Sequence, residues 1–404
     1  MKARAGFLLP AGLILVLLAG QAIGIWAGHG LLPAASHGPL WQRLLSWDGR
    51  IYFGIAQQGY DWNPARPLAH QNIAFFPGQP VLDRAGALLM GRTSALPPLL
   101  ISLALGAASI LAFQTLARHL LKPREAGFAT ALFAFWPASS FFIMGYPTGL
   151  ISLCVIAALA AYLKRQYWRA ALCCGIGSAA APTIVFVIAA LWLHRALALL
   201  CQGVSLRRVL HFAAWAALCV SGLLCFMAYQ QWRFHDALAF NQAQAAWGTA
   251  PALTTRLHRL VDWRWYIQQA DAGRQEIGQG LALWRHGQKL PGMTAMEAGA
   301  QRWINSLSMM VVLPGLLASI AMWRRAAILP LAGFFVLAGY AWFIFVTDQN
   351  MLCVPRLLYP AIALFLGFGL LAGRWPVLGY AVLAPCLLAA GLEAAFAAGG
   401  YWVV

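Results

Sequence analysis

The chain has little negative charge and little charge of either sign. Asp and Glu supply 11 of its 404 residues against 28 Lys and Arg, and all charged residues together make up 10%, whereas hydrophobic residues make up 61%. With a mean hydropathy of +0.69, this composition excludes an ordinary soluble domain and predicts an integral membrane protein with many spans. The net charge of +17 comes from basic residues spread among loops between apolar segments. The expected anionic partner is therefore membrane lipid phosphate and not nucleic acid.

Several cofactor and metal signatures are also missing. The eight cysteines include no C-x-x-C pair, and all except Cys353 lie in or beside apolar segments. The sequence has no G-x-x-x-x-G-K-[ST] loop, no glycine-rich dinucleotide motif and no internal repeat. These absences argue against a disulfide framework, a structural zinc site, ATP-driven transport and nucleotide-cofactor chemistry.

Apolar segments and basic residues together predict one membrane domain over residues 1–404. Lys2 and Arg4 precede the first apolar segment, residues 7–27, which we expect to be a signal anchor that leaves the N-terminus inside. Two long loops, residues 28–93 and residues 230–305, then lie outside the cytoplasm. The sequence thus predicts an all-α polytopic fold of about ten or eleven transmembrane or re-entrant helices.

The apolar block over residues 170–200 is flanked by basic residues at both ends. Pro182 lies near its middle, where a proline removes a helix hydrogen bond and disfavours a continuous helix. Two short helices joined by a turn near Pro182 fit this charge pattern better than one span does. Because each would be shorter than the ~20 residues that a full span needs, we expect thin or re-entrant helices that face a cavity.

Acidic residues concentrate on one side of the predicted topology. All except Glu125 and Glu393 fall on the outer side, whereas short inner loops carry clustered Arg and Lys. A face that collects carboxylates is where proton transfer could be performed. The alternative is that acidic residues do not influence membrane orientation and simply accumulate in long loops.

The stretch over residues 46–80, SWDGRIYFGIAQQGYDWNPARPLAHQNIAFFPGQP, gathers acids, aromatics, glycines and prolines. Its apolar side chains recur at helical spacing at Trp47, Ile51, Tyr52 and Ile55, and Gly59 stands where such a helix would end. Ser46 as N-cap would place Asp48 in the first turn, where the helix dipole favours an ionised carboxylate.

A carboxylate beside Trp47 in a membrane-proximal groove suits a general base, and we interpret Asp48 in this way. The alternative is an interfacial amphipathic helix that carries a capping acid.

Three motifs in this stretch resemble those of a known family. W-D-G-x-x-Y is followed by I-A-x-x-G-Y and then by A-F-F-P-x-x-P. The matching residues are Trp47, Asp48, Gly49 and Tyr52, then Ile55, Ala56, Gly59 and Tyr60, then Ala74, Phe75, Phe76, Pro77 and Pro80. In this order the motifs resemble the signature of the second mannosyltransferase of glycosylphosphatidylinositol (GPI) assembly and its bacterial relatives.

Later segments resemble the family more loosely. FWPASSFFIMGYPTGL, FHDALAFNQAQAAWG and PRLLYPAIALF match it at Pro137, Phe141, Phe142, Tyr146, Asp236, Leu238, Ala239, Phe240, Ala243, Gln244, Trp247, Arg356 and Pro360. The chain also departs from the family twice. Thr148 replaces the acid expected two residues after Tyr146, and no Arg stands near Pro182 or Thr183.

The resemblance implies a polytopic glycosyltransferase of the GT-C superfamily. Such an enzyme takes a sugar from a polyprenyl-phosphate donor, acts on the non-cytoplasmic face and inverts the anomeric carbon. Asp48 matches the acid that serves as base in that superfamily, and the predicted topology independently places it outside. The implied reaction moves a hexose, mannose in particular, to an extracytoplasmic glycan, lipid or protein acceptor.

Arg356 is the first candidate to receive the departing lipid phosphate. A guanidinium at the outer end of a span can bind a phosphate through two hydrogen bonds, although an arginine there could also simply snorkel to the interface. The other candidate substrate-binding residues are His70, Asp236, Trp47, Tyr52, Tyr60, Phe75, Phe76 and Gln244.

Each of these further candidates has a plainer alternative. The aromatic residues could flank a sugar or a prenyl chain, but an aromatic belt at the membrane surface predicts the same composition. Asp236 could orient the acceptor or be an ordinary loop acid. His70 could donate to the leaving phosphate or coordinate a divalent metal together with Asp48. These two residues form no recognised metal spacing, so no metal site and no cofactor is assigned.

Two other functions stay open. A multi-span lipid or sugar transporter or flippase should show paired repeats and acids within its spans. A non-catalytic scaffold of the same fold would be consistent with the missing acid near Tyr146. The composition, rich in Ala, Trp and Arg, favours a bacterial inner-membrane protein with a periplasmic site, and bacteria do not make GPI anchors in the usual sense. The acceptor is therefore left open.

Overall fold

The computed structural model describes residues 2–33, 38–45, 47–66, 69–90, 94–247, 252–343 and 353–402. Within these ranges helices are joined by turns and no β-strand occurs, which confirms the predicted all-α class. The α-helices are α1 Lys2–Leu31, α2 Leu40–Leu44, α3 Asp48–Gln58, α4 Gly78–Leu89, α5 Leu96–Leu120, α6 Pro123–Phe135, α7 Thr148–Leu163, α8 Tyr167–Ser178, α9 Ile184–Cys201, α10 Leu206–Cys219, α11 Ser221–Phe234, α12 Ala239–Gln242, α13 Leu253–Val261, α14 Trp263–Arg285, α15 Lys289–Ser319, α16 Trp323–Ala326, α17 Ile328–Phe343, α18 Val354–Leu357, α19 Ile362–Arg374 and α20 Pro376–Gly399.

Length and hydropathy identify the membrane-crossing helices. In the described part of the chain, five helical stretches can cross a bilayer, and they contain α1, α5, α9, α15 and α20. Two bent pairs raise the number to seven, namely α6 with the 3₁₀ segment Pro137–Ile143 and α10 with α11. The shorter apolar helices α7, α17 and α19 complete a set that confirms the predicted polytopic architecture.

The apolar segment over residues 126–144 is sharply bent. Helix α6 ends at Phe135, and the following 3₁₀ segment Pro137–Ile143 turns away by 60°. Pro137 explains the bend, because it has no N–H to donate and its ring disfavours helical backbone at Trp136. The bend carries Phe141 toward the candidate site described below.

The block over residues 170–200 is divided near Pro182, as the sequence predicts. Helix α8 ends at Ser178 and α9 begins at Ile184. The Gly78 N–H donates to the Ala179 carbonyl at 2.6 Å, so the first residue of α4 lies against this break. The break therefore joins the helical bundle to the first long loop.

The two long loops contain much helical structure. Residues 28–93 include the end of α1 and helices α2, α3 and α4, and residues 230–305 include α12, α13, α14 and half of α15. Helices α14 and α15 form an antiparallel pair with very close backbones. A Cβ atom built on Gly273 would lie 2.6 Å from the Gly299 carbonyl oxygen, so this approach requires glycine.

Asp83 on α4 is a buried acid in the first long loop, and only one of its two carboxylate oxygens accepts a hydrogen bond from a described residue. Gln79 donates to Asp83 Oδ1 at 2.7 Å, whereas Oδ2 has no hydrogen-bond partner among the described residues. Burial raises the pKa of Asp83 to about 7, and the Gln79 hydrogen bond offsets only part of this effect. The folded state therefore prefers the protonated acid. The stability that this preference contributes is fully present below the unfolded-state pKa of 3.8. It is lost as the pH rises to about 7.

Asp83→Asn is expected to stabilise the protein more at neutral pH than at acidic pH. The amide imitates the protonated acid, so the advantage over wild type should grow between about pH 4 and pH 7 and then level off, at roughly 2–4 kcal/mol. Thermal unfolding in detergent at pH 4.5, 6 and 8 measures it. Asp61→Asn, which changes an exposed acid of the same loop, should show no such slope. Equal shifts for Asp83→Asn at every pH would contradict the prediction.

Candidate functional site

Helix α3 presents Asp48 at its beginning. The helix runs from Asp48 to Gln58, has Asp48 in its first turn and ends at Gly59 with a φ of 82°, as the sequence predicts. The predicted N-cap, Ser46, lies outside the described residues. Tyr52 and Ile55 are buried, so the helix packs one face inward and holds its first turn in place.

Trp47 precedes α3, although its spacing placed it on the apolar stripe of that helix. Its φ of 55° turns the chain just before α3, and 49% of the residue is exposed. The indole Nε1–H donates to the Tyr401 carbonyl at 3.3 Å, and the ring lies edge-on to Trp402 at 6.4 Å. A bulky residue at positive φ is sparsely populated. The C-terminal segment therefore helps to hold the turn that precedes Asp48.

Asp48 and Arg356 form an ion pair. The Arg356 Nη1–H donates to Asp48 Oδ2 at 2.7 Å across 308 residues of sequence. The side chains are 27% exposed for Asp48 and 23% exposed for Arg356. A charge-assisted hydrogen bond of this length is strong, yet both groups can still meet a ligand. The structure thus brings together the two residues to which the sequence analysis gave separate roles.

Aromatic rings hold the Arg356 guanidinium. Its central carbon lies 5.2 Å from the centre of the Phe141 ring and 5.4 Å from that of Tyr146, and Nη2 approaches Cys353 Sγ at 3.7 Å. Cation–π contacts of this kind restrain the guanidinium plane. The charge is therefore fixed beside Asp48.

Two hydrogen bonds fix the backbone on which Arg356 is carried. The Trp136 Nε1–H donates to the Pro355 carbonyl at 2.8 Å, and the Val354 N–H donates to Asn305 Oδ1 at 2.7 Å. Helix α18 is thereby attached to the bend after α6 and to α15. This short helix has little stability of its own, so these contacts set its position.

Tyr146 positions the start of α3. Its hydroxyl accepts a hydrogen bond from the Asp48 N–H at 3.2 Å, and its ring centre lies 4.6 Å from that of Phe141 and 6.4 Å from that of Tyr52. Thr148, which replaces the acid of the family motif, is buried as the first residue of α7. The sequence identified Tyr146 as a motif match but gave no indication of this contact.

Gly49 is required by the close approach of α3 to the Tyr146 turn. A Cβ atom at residue 49 would lie 2.5 Å from the Met144 carbonyl oxygen and 3.3 Å from the Tyr146 ring. Gly49→Ala is therefore expected to displace the first turn of α3, to destabilise the fold by about 1–3 kcal/mol and to reduce activity.

Gly54→Ala on the same helix is the matched control for Gly49→Ala. A Cβ atom at residue 54 would meet no atom within 4 Å, so alanine there should be neutral or slightly stabilising. Thermal unfolding compares the two variants. Equal melting temperatures would show that the contact with Met144 does not constrain the helix.

The predicted aromatic residues form a packed cluster. The Tyr52 and Phe75 ring centres are 5.3 Å apart, and Phe76, which is 1% exposed, lies 5.2 Å from Phe226 of α11. The Tyr60 hydroxyl donates to the Phe75 carbonyl at 2.9 Å, and burial raises the pKa of Tyr60. The cluster attaches the first long loop to α11, and Phe76 in particular lies inside it.

The remaining predicted residues lie around this cluster. Gln244 donates to the Ala74 carbonyl at 3.4 Å, which links the second long loop to the first. Asp236 is partly buried and accepts from the Leu238 N–H and from the Gln242 side chain within its own turn. His70 is exposed. Across the described ranges, no group of three or more His, Cys, Asp or Glu side chains could hold a metal ion.

Glu393 is a second acid near the site, and the sequence analysis did not include it among the outer acids. It is 1% exposed near the end of α20, and the Ser140 hydroxyl donates to its Oε2 at 2.6 Å. Ser140 precedes Phe141 on the bent 3₁₀ segment. Arg374 lies just before the first residue of α20, and Glu393 lies near the last. The length of this helix alone could therefore have placed Glu393 on the side of the membrane opposite Arg374.

The sequence is similar to those of known mannosyltransferases. No protein-family model matches the chain. GPI alpha-1,6-mannosyltransferase 2 of Mus musculus is 26% identical over 63% of this chain and 51% of the mouse protein. The Rattus norvegicus protein of the same name is 28% identical over 60% of this chain and 50% of its own length. A shorter match to the Cricetulus griseus protein is 34% identical over 147 residues. The chain spans about half the length of the mouse and rat relatives.

Two solved membrane-protein structures align with nearly the whole chain. The Archaeoglobus fulgidus oligosaccharyltransferase, in complex with Zn and sulfate, aligns with 96% of this chain and 53% of its own, at a TM-score of 0.48 and 16% identity. ArnT from Cupriavidus metallidurans, bound to undecaprenyl phosphate, aligns with 96% of this chain and 78% of its own, at a TM-score of 0.42 and 16% identity. The sequence matches to the rodent proteins confirm the resemblance indicated by the motifs: this chain is similar to the second mannosyltransferase of GPI assembly.

Proposed function

We propose that this protein is an inverting glycosyltransferase of the GT-C type. It transfers a hexose, mannose in particular, from a polyprenyl-phosphate donor to an acceptor hydroxyl outside the cytoplasm. One observation carries the proposal: Asp48 and Arg356 are paired at 2.7 Å and both are partly exposed, within motifs that resemble those of a mannosyltransferase family. The resemblance extends over about half the length of those relatives, so the donor, sugar and acceptor are all part of the proposal.

Asp48 is the proposed general base. The acceptor oxygen attacks the anomeric carbon from the face opposite the phosphate, and Asp48 takes the hydroxyl proton as the new glycosidic bond forms. The bond between the anomeric carbon and the phosphate oxygen breaks at the same time, which inverts the configuration. A glycosidase needs a second carboxyl to protonate an alkoxide leaving group, but a phosphate leaves as an anion without one.

Arg356 is the proposed partner of the departing phosphate. A guanidinium has five N–H donors in a planar fork, so Arg356 can keep one hydrogen bond to Asp48 while others meet the phosphate oxygens. The rings of Phe141 and Tyr146 hold that fork in one orientation. The charge that develops on the phosphate is then met without reorganisation of the site, which is how electrostatic stabilisation accelerates a reaction.

The other proposed substrate contacts lie on the two long loops, residues 28–93 and residues 230–305. Trp47 is half exposed beside Asp48 and offers an aromatic face to a sugar. Gln244 and His70 are exposed and Asp236 is partly exposed, and these three residues are proposed to meet the acceptor. Tyr52, Tyr60, Phe75 and Phe76 support the site through the packed cluster. We place this side at the periplasmic face of a bacterial inner membrane.

Reconstitution tests the proposal. Purified protein in liposomes is incubated with polyprenyl-phosphate mannose labelled in the sugar, together with extracts that contain candidate glycan, lipid and protein acceptors. An enzyme should move the label to an acceptor and release polyprenyl phosphate in equal amount. A transporter or flippase would move the intact lipid across the bilayer without breaking its glycosidic bond, and a scaffold would do neither. Either result would refute the proposal.

A further inference from the structure

A cavity of about 550 Å³ is lined by none of the residues that form the Asp48 site. It is formed where α8 begins, α9 ends and α10 begins, and its wall includes Tyr167, the first residue of α8. The other end of α8, at Ser178, is followed by Ala179, which contacts the start of α4 and so the first long loop. The 12 residues of α8 correspond to roughly 18 Å of helix. The cavity is therefore separate from the Asp48 site.

The wall of this cavity is strongly basic. Arg195, Arg207, Arg208 and His211 line it, and no Asp or Glu does so. The ion pairs found in the described ranges involve none of these residues. Three guanidinium groups that share one cavity repel each other, and an anion placed among them offsets that repulsion. The preference of basic residues for inner loops explains their presence on this side but not their convergence on a cavity.

Arg195 and Arg208 are held in place before any ligand binds. The Arg195 guanidinium lies 4.0 Å above the Tyr167 ring. Arg208 Nη1 donates to the carbonyls of Gln202 and Gly203, which closes the turn between α9 and α10. Arg208 thus has a structural role, whereas Arg195 and Arg207 are the cations to test. A preorganised site of this kind loses little entropy when it binds an anion.

Apolar and aromatic side chains form another part of the cavity wall. Trp168, Leu199, Phe212 and Trp215 line it, and the Trp215 Nε1–H is already bound to the Tyr167 carbonyl at 2.8 Å. Leu199 belongs to α9, a membrane-crossing candidate. An inorganic anion would gain nothing from such a wall, whereas a lipid would place its phosphate on the arginines and its glycerol and upper chains on the rings.

We propose that this cavity binds the phosphate group of an acidic membrane lipid. Basic pockets between transmembrane helices are typical sites for such headgroups. Arg195 and Arg207 supply the charge-assisted hydrogen bonds to the phosphate oxygens, and the aromatic wall selects a lipid over free phosphate. The site is independent of the proposed transfer reaction, because none of its residues lies near Asp48.

Native mass spectrometry of the purified full chain tests the site. Protein in detergent is titrated with phosphatidylglycerol, with phosphatidylcholine and with inorganic phosphate, and bound molecules are counted. We expect one retained phosphatidylglycerol, with at least tenfold weaker retention of phosphatidylcholine. Equal retention of the two lipids, or equal occupancy by inorganic phosphate, would overturn the proposal of an acidic-lipid site.

Arg195→Gln with Arg207→Gln should weaken phosphatidylglycerol binding at least tenfold. Arg324→Gln with Arg325→Gln removes the same charge from exposed residues outside the cavity and should change binding less than twofold. If the control pair weakens binding equally, the effect is general electrostatics and the proposal is wrong. Should the first pair fail to fold, Arg207→Gln alone must reduce binding, and Arg207→Lys must restore part of it.

Discussion

Asp48→Asn is expected to reduce turnover by about 100- to 10,000-fold, the usual contribution of a positioned general base. The amide has the size of the carboxylate and can still accept the Arg356 hydrogen bond, which measures 2.7 Å in the wild type. The amide cannot take the proton from the acceptor hydroxyl. The donor should therefore bind with little change while transfer almost stops.

Two measurements separate these effects for Asp48→Asn. The rate of polyprenyl-phosphate release gives turnover, and retention of labelled donor under conditions without acceptor gives binding. The structure supplies a matched control in Glu276, which pairs with Arg302 at 3.1 Å and has side-chain exposure of 29% against 21% for its partner. Glu276→Gln disrupts a similar ion pair between α14 and α15, so it should leave turnover within about twofold of wild type.

Other outcomes for Asp48→Asn would point to other functions. If turnover falls equally in Asp48→Asn and Glu276→Gln, loss of an ion pair explains the effect and Asp48 is not the base. If donor movement across the bilayer continues at the wild-type rate in Asp48→Asn with no transfer in either protein, the chain is a transporter. A variant that does not fold is recognised by its unfolding transition, and Asp48→Glu then serves to keep the charge.

The local features of α3 could be predicted because they depend on neighbouring residues. The helical spacing of Tyr52 and Ile55 and the glycine at residue 59 determined the extent of the helix, and both observations hold in the structure. Pro182 likewise marked the break between α8 and α9. Backbone preferences of proline and glycine act over one or two residues, so a single sequence is enough to locate them.

The contacts that shape the site could not be predicted, because they join distant segments. Trp47 is held by Tyr401, which lies 354 residues away, and the Asp48 N–H is bonded to Tyr146, which lies 98 residues away. No periodicity encodes such pairs. The positive φ of Trp47 is a further case, because a large aromatic residue gives no local indication of a left-handed backbone.

The role of the aromatic residues could not be predicted, for a different reason. A membrane-surface belt, a substrate cleft and a packed core all favour the same side chains. The structure packs Phe76 against Phe226 and Phe240, and these partners come from segments that the sequence assigned to other parts of the topology. Only the tertiary arrangement distinguishes a core ring from one that faces a ligand.

Arg356→Lys is expected to lower kcat/KM for the donor on the order of 100-fold, although the charge is kept. Lysine cannot bind a phosphate with a planar fork, and it lacks the guanidinium that contacts the Phe141 and Tyr146 rings. Part of the loss should appear as a higher donor KM and part as a lower kcat, because the phosphate charge grows as the glycosidic bond breaks. Steady-state kinetics in liposomes measure both parameters.

Arg302→Lys is the matched control for Arg356→Lys. Arg302 has nearly the same exposure, 21% against 23%, and pairs with Glu276 on α14. Its replacement should change kcat/KM less than about threefold, since an isolated partly exposed ion pair contributes little.

Product inhibition by polyprenyl phosphate then decides what Arg356 does. If Arg356 holds the departing phosphate, the inhibition constant for polyprenyl phosphate should rise about tenfold or more in Arg356→Lys, because the product carries the group that the guanidinium binds. If Arg356 only orients Asp48, kcat should fall while that constant stays at its wild-type value. The second result would leave Asp48 as base and assign the phosphate to another cation, so the two roles of the ion pair can be tested separately.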